Sequence, residues 1–265
     1  MTNAPRIDWK MPLALLLLSA IPLAAGIARL VGLIGNPAIS AENARFIAAP
    51  LSVIVHILGA SLFSILGALQ FSSALRHRSP QWHRLTGRIV VASGVFTALS
   101  GLWMTVMYPI PPELQGGVLY AVRVCVSVAM LFSIYWAVVA VMRRDISTHR
   151  AWMIRAYALG QGAGMQVVVL LPWMLVIGKP TMLQRDVLMS LAWLINLLVA
   201  EMAIQRWVPL HLNFISIVAG FKMSDCQNTC NPYSWRIRFQ CGENLATSSG
   251  KILRIACQSE SQAGQ

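Results

Sequence analysis

The chain has 265 residues, of which 57% are hydrophobic and only 11% are charged, and its formal net charge is +12. A soluble globular protein carries about 25% charged residues, so this composition excludes a soluble fold and indicates a membrane protein. The basic residues lie beside apolar runs rather than on one polar face, which argues against nucleic-acid binding.

Six apolar runs are long enough to cross a bilayer as helices, because about 20 apolar residues span its hydrocarbon core. In chain order they cover residues 12–34, 51–75, 85–108, 118–142, 152–177 and 187–205. The sequence therefore predicts an all-α fold, a polytopic transmembrane helical bundle of about six spans. It predicts three regions: a cytoplasmic N-terminus (1–11), a membrane domain (12–207) and a polar tail (208–265).

The first run resembles a signal peptide in part, since Arg6 and Lys10 precede it and small residues that suit cleavage lie near Gly26. Its apolar stretch is longer than that of a usual signal peptide, and five further spans follow it. These features favour an uncleaved membrane anchor, although cleavage stays an alternative.

Lysine and arginine set the predicted orientation, because short cytoplasmic loops collect them. The residues that surround the links between spans two and three and between spans four and five are Arg76, Arg78, Arg84 and Arg88, and Arg143, Arg144, Arg150 and Arg155. Both links are therefore predicted to be cytoplasmic. With six spans, both termini then face the cytoplasm.

Three ionisable residues lie inside the outer halves of their predicted spans: Arg29, His56 and Arg123. A charged side chain at the centre of a membrane helix costs about 2.5 to 3.5 kcal/mol on insertion scales, so it is expected to face protein or water. We expect these three side chains to converge on a polar pocket near the outer surface. The small residues after His56, such as Gly59 and Ala60, favour close helix packing.

Two short motifs resemble each other, Trp82-His-Arg-Leu-Thr-Gly-Arg88 and His149-Arg-Ala-Trp-Met-Ile-Arg155. Each begins a span with a His-Arg pair and follows a basic cluster. Together they predict two similar helical hairpins, spans two and three and spans four and five. The positive-inside rule explains the arginines, but it does not explain a histidine at each helix start.

These motifs, together with Gly-Ala-Leu-Gln70-Phe71 and Tyr157, resemble bacterial multi-pass proteins of the family called domain of unknown function 2306. The resemblance covers residues 51–206. It implies an integral protein of a bacterial inner membrane, and it implies no particular reaction. No nucleophile-base motif or phosphate-binding glycine loop stands out, so the sequence leaves open whether the chain is an enzyme.

One functional hypothesis is a redox protein that carries haem b. Histidines that face inward from neighbouring helices can bind haem iron from both sides, and the architecture is similar in outline to cytochrome b561 and ferric-reductase proteins. His83 and His149 are the candidate pair, and Gly87 leaves room for a flat ring. His56 lies too far away to share that haem and would mark a separate site.

The alternative is a transport or ligand-binding protein without redox chemistry. Spans three and five begin at the cytoplasmic surface, where helix N-termini and arginines can bind a small anion, a lipid headgroup or a quinone. The candidate ligand-binding residues are Arg84, Arg88, Arg150 and Arg155 there, and Arg123 and Arg29 on the outer side. Glu201 is expected to pair with Arg150 or Arg155, and the alternative is that it carries protons between the aqueous phase and a site.

The predicted tail is polar, partly disordered and cytoplasmic. It contains four of the five cysteines: Cys226, Cys230, Cys241 and Cys257. Their spacing does not match the paired motifs of common zinc sites, so no metal centre is predicted.

Overall fold

The computed structural model describes residues 9–35, 38–40 and 43–207, and every regular element within these ranges is an α-helix. The helices are α1 (Lys10–Ile34), α2 (Ala44–Ala48), α3 (Pro50–Gln70), α4 (Ser73–Arg78), α5 (Pro80–Met107), α6 (Gly117–Met142), α7 (Ile146–Gly160), α8 (Gly162–Val176) and α9 (Met182–Trp207). The predicted all-α fold is confirmed. The predicted tail, residues 208–265, lies outside the described residues.

Five helices are long and apolar enough to cross a membrane, namely α1, α3, α5, α6 and α9. A sixth span results if α7 and α8 are taken together, since they pass the same test as a pair but are bent by 44°. The polytopic bundle of about six spans is therefore confirmed. The predicted fifth span, residues 152–177, corresponds to this bent pair.

The two predicted hairpins are the most extensively packed helix pairs in the described part of the chain, α3 with α5 and α6 with α7. Two short helices were not predicted. α2 precedes α3 and α4 follows it, so they lie at opposite ends of the same span. Both are too short to show a helical pattern of apolar residues.

A phenylalanine side chain fills the centre of the bundle. Phe63 of α3 is only 1% exposed, and its ring lies against glycines of two other helices. A Cβ atom added at Gly94 of α5 or at Gly160 of α7 would lie 2.7 Å or 2.5 Å from that ring. Small residues of this kind let membrane helices approach closely, and here they make room for one large aromatic group.

Tyr157 joins α7 to α3 beside this aromatic core. Its hydroxyl donates a hydrogen bond to the Ser64 carbonyl at 2.9 Å and accepts one from Gln161 Nε2 at 2.7 Å. Its ring packs on Phe63 and Phe71, with centroids 5.6 and 5.1 Å away. Two motif residues, Tyr157 and Phe71, therefore have a packing role.

The bend between α7 and α8 occurs at Gln161, and α9 stabilises it. Trp193 Nε1 donates a hydrogen bond to the Leu159 carbonyl, and Asn196 Nδ2 donates one to the Ala158 carbonyl, both at 3.1 Å. Broken membrane helices are tolerated where neighbouring helices satisfy backbone groups near the break. The break between α7 and α8 is therefore stabilised by contacts within the bundle.

Candidate functional site

A cavity of about 390 Å³ opens between the helices. Its lining comes from α2, α3, α5, α6, α7, α8 and α9, and it extends from the break between α7 and α8 toward the end of the bundle where α5 ends and α6 begins. We call this the outer end, after the predicted orientation. Ligand pockets usually enclose about 300 to 1,000 Å³, so the cavity has the size of a binding site.

Three arginines line this cavity: Arg45 of α2, Arg123 of α6 and Arg185 of α9. Arg45 lies over the Phe46 ring, 4.6 Å from its centroid. The guanidinium of Arg123 donates a hydrogen bond to the Gln115 side chain. The Nε of Arg185 is buried without a hydrogen-bond partner among the described residues. At least one guanidinium nitrogen of the cavity's arginines therefore lacks an acceptor within the described part of the chain.

The carboxylate of Asp186 attracts the positive charge of Arg123, whereas the guanidinium groups of Arg45 and Arg185 repel that charge. Both oxygens of Asp186 are already engaged, because they accept hydrogen bonds from the backbone N–H groups of Gly116 and Leu119, each at 3.0 Å. These groups lie at the start of α6, where the helix dipole also favours a negative charge. Among the described residues that line the cavity, three are arginines and none is acidic, so the lining of its outer part is basic.

His56 of α3 also lines the cavity. Its Nδ1 is 3.0 Å from the Thr97 carbonyl and 3.2 Å from Ser100 Oγ. A carbonyl only accepts hydrogen bonds, so this contact assigns the proton to Nδ1 and leaves the lone pair on Nε2. His56 can therefore offer an acceptor, or take up a proton, beside the arginines.

The structure brings together two of the three residues predicted to form the outer pocket, His56 and Arg123. The third, Arg29, lines a separate pocket between α1 and α2 and stacks on the Phe46 ring at 4.5 Å. Sequence reasoning missed Arg45 and Arg185 as site residues. Both lie near the ends of predicted spans, where an arginine was counted only toward orientation.

At the opposite, inner end, His83 and His149 lie within electrostatic range of each other, together with Arg76 and Arg84. His149 Nδ1 is 2.8 Å from the Ala137 carbonyl, so Nδ1 donates a hydrogen bond to that oxygen. An added Cβ at Gly87 would meet no atom within 4 Å. The two histidines therefore lie at the same end of the bundle, and there is open space beside Gly87.

The remaining predicted arginines divide into two groups. Arg155 forms two hydrogen bonds with Glu201, at 2.5 and 2.9 Å, so the predicted pairing of Glu201 is confirmed and this guanidinium is occupied. Arg84, Arg88 and Arg150 stay near the inner end, where Arg150 interacts electrostatically with Arg76.

The predicted free N–H groups at the inner helix starts need one correction. At α7, the N–H of Thr148 donates to Asp145, which caps the helix. At α5, the helix begins with Pro80, which has no N–H, and no side chain caps it. An anion would therefore meet fewer free donors at α7 than the sequence suggested.

A family model described as a predicted membrane protein, DUF2306, matches residues 53–204, more than half of the chain. The match includes both hairpins, the break at Gln161 and most of the outer cavity. No curated protein and no solved structure matches the chain.

Proposed function

Because this chain belongs to the DUF2306 family of membrane proteins, whose description names no activity, we propose a function from its own site: it binds a small anion in the outer cavity. The observation that carries this proposal is the charge of the cavity. Arg45, Arg123 and Arg185 line it, and the carboxylate that acts on Arg123, that of Asp186, is already hydrogen bonded to α6.

Arginine is well suited to this role, because its planar guanidinium forms paired hydrogen bonds with carboxylate and phosphate groups. The buried Nε of Arg185 lacks an acceptor among the described residues, and a buried donor without a partner costs about 1 to 3 kcal/mol. An anion that displaces the groups covering this nitrogen would supply that acceptor. It would also reduce the repulsion among the three guanidinium groups.

The proposal describes a ligand-binding or transport protein rather than an enzyme. An anion that enters from the outer end would meet Arg45 and Arg185 first and then His56, whose Nε2 can accept a hydrogen bond from a protonated ligand. The wall at the inner side of the cavity includes Gly160, next to the break between α7 and α8. Transporter sites are often formed by interrupted helices of this kind.

The test is binding of benzoate and inorganic phosphate to the full-length protein in detergent, measured by calorimetry. We expect Arg123→Gln and Arg185→Gln each to weaken binding roughly 10- to 100-fold, which corresponds to a charge-assisted hydrogen bond of about 1.5 to 3 kcal/mol. Arg143→Gln is the matched control, because Arg143 is exposed at the other end of α6.

The control variant should bind like the wild type. Two results would overturn the proposal: a wild-type protein that binds neither probe, or glutamine variants that bind as tightly as the wild type. Circular dichroism of each variant without ligand checks that the helices are intact.

A second candidate function is electron transfer through haem b at the inner end, favoured by the proximity of His83 and His149. The contact between His149 Nδ1 and the Ala137 carbonyl is the arrangement that orients an imidazole and directs Nε2 toward a metal. Haem would supply one-electron chemistry there, and the chain would hold it by the two imidazoles.

The absorption spectrum of protein purified from haem-supplemented cells tests this candidate. We expect a Soret band that is lost in His83→Ala and in His149→Ala. His77→Ala is the control, because His77 is exposed on α4 at the same end of the bundle. A wild-type protein without a Soret band would exclude this function.

A further inference from the structure

We infer that the ligand of the outer cavity is an amphipathic anion, with its charged group at the arginines and an apolar body that extends to the break between α7 and α8. This inference rests on the proposed anion-binding function and names its ligand class. It follows from the way in which the cavity lining changes with depth.

Helix positions give the depth of each lining residue, because an α-helix rises about 1.5 Å per residue. From the outer ends of α9 and α6, Arg185 is about 5 Å deep and Arg123 about 9 Å. On the same two helices, Trp193 is about 16 Å deep and Met130 about 20 Å. The cavity therefore continues about 10 Å beyond Arg123, toward the middle of the membrane domain.

The chemistry of the lining changes along this path. Arg45 and Arg185 lie at the shallow end, His56 lies at about the depth of Arg123, and Thr97, Ser127 and Gln166 lie about 15 Å deep. The outer end also carries apolar side chains, among them Phe46, Met104 and Leu114. The deep part has no charged side chain and is lined by Met130, Leu159, Gly160, Ala163 and Trp193.

These deep residues are apolar, apart from the indole N–H of Trp193 and the backbone groups. That N–H is already used, because it donates to the Leu159 carbonyl. A hydrated inorganic anion would gain nothing from this surface, whereas a hydrocarbon group would be removed from water there.

The dimensions fit a medium-length chain. An extended chain gains about 1.2 Å per bond, so roughly eight carbons cover the distance from Arg123 to the level of Met130. A carboxylate of that length would use both parts of the cavity at once. Acetate or phosphate would occupy only the outer part.

The experiment uses butanoate, hexanoate and octanoate with the full-length protein in detergent. We expect the affinity to rise about three- to fourfold per added methylene, since burial of one CH₂ contributes about 0.8 kcal/mol. Hexylammonium and octylammonium, which have the same chains and the opposite charge, measure uptake into the detergent. Their apparent binding should be far weaker and independent of Arg185→Gln.

Two variants separate the parts of the cavity. Ala163→Leu fills the deep part, and Ala163 is exposed enough to accept a larger side chain. It should weaken octanoate binding at least tenfold and leave butanoate unchanged. Arg185→Gln should weaken all three carboxylates by a similar factor. Ala60→Leu, on α3, is a second filling variant for use if Ala163→Leu does not fold.

The outcomes separate a failure of the amphipathic-ligand inference from a failure of anion binding itself. If all three carboxylates bind with equal affinity, or if neither filling variant discriminates between them, the ligand is not amphipathic and simple anion binding stands. If no carboxylate and no phosphate binds, the proposed function itself fails.

Discussion

Replacement of Asp186 by alanine should lower the free energy of unfolding by about 3 to 6 kcal/mol, because it removes two hydrogen bonds to a charged group, each worth about 1.5 to 3 kcal/mol. Asp186 is 2% exposed, and its oxygens accept from the N–H groups of Gly116 and Leu119 at 3.0 Å. Without it, two N–H groups at the start of α6 lose their acceptor in a buried place. Reversible denaturation in detergent measures this loss.

Two further variants make the result specific. Asp186→Asn keeps one carbonyl oxygen as an acceptor, so we expect it to lower the free energy of unfolding by less than Asp186→Ala does. Glu113→Ala removes an exposed carboxylate from the connection just before α6, where a surface substitution changes stability by about 0.5 kcal/mol or less. If Asp186→Ala proved as stable as Glu113→Ala, the cap would contribute nothing.

Asp186 also links stability to the proposed site. It holds the start of α9 against the start of α6, and each of these helices carries one arginine of the cavity, Arg185 and Arg123. A loosened contact between the helices would change the distance between these two guanidinium groups. Asp186 therefore holds two parts of the proposed site together, although it does not touch the ligand in our proposal.

The spans could be predicted from the sequence because insertion into a bilayer depends mainly on local composition. Four of the six apolar runs correspond to single helices, the run 51–75 extends past the end of α3 into α4, and the run 152–177 corresponds to the bent pair α7 and α8. His56 and Arg123 were placed in one pocket from depth alone. Depth is a local property too, since it depends on a residue's distance from the end of its own helix.

The break at Gln161 could not be predicted, because its stabilising partners come from another helix. Trp193 and Asn196 of α9 lie more than thirty residues farther along the chain. The neighbouring glycines suggested close packing, which the structure also shows at Gly160. Nothing in a packing motif distinguishes a straight helix from an interrupted one.

Arg45, Arg185 and Asp186 were missed as site residues for a similar reason. In the sequence they lie in connections or at span ends, where charged residues are common and report on orientation. Only the fold shows that α2 and the start of α9 reach the same cavity as α6. A residue in a connection gains a role at the site through contacts that sequence spacing does not reveal.

Phe63→Ala should lower the free energy of unfolding by about 3 kcal/mol, the lower end of the range for phenylalanine truncation in a core. We expect the lower end because lipid is itself apolar, so helix association in a membrane depends on packing more than on removal from water. Phe63 is 1% exposed and fills the space beside Gly94 and Gly160. No neighbouring helix can close that space without losing its own contacts. Denaturation in detergent measures the effect.

The matched control is Phe96→Ala, the same substitution at a side chain of α5 that is 57% exposed. It should cost less than about 1 kcal/mol, since it leaves no cavity. Gly94→Ala tests the same packing site from the other helix, because its methyl group would lie 2.7 Å from the Phe63 ring and should also lower the free energy of unfolding. In Phe63→Ala the contacts with the ring are gone and only the 2.8 Å contact with Ile134 Cδ1 remains, so the double variant should cost less than the sum of the two single variants. Additive losses would show that Phe63 and Gly94 do not share one packing site.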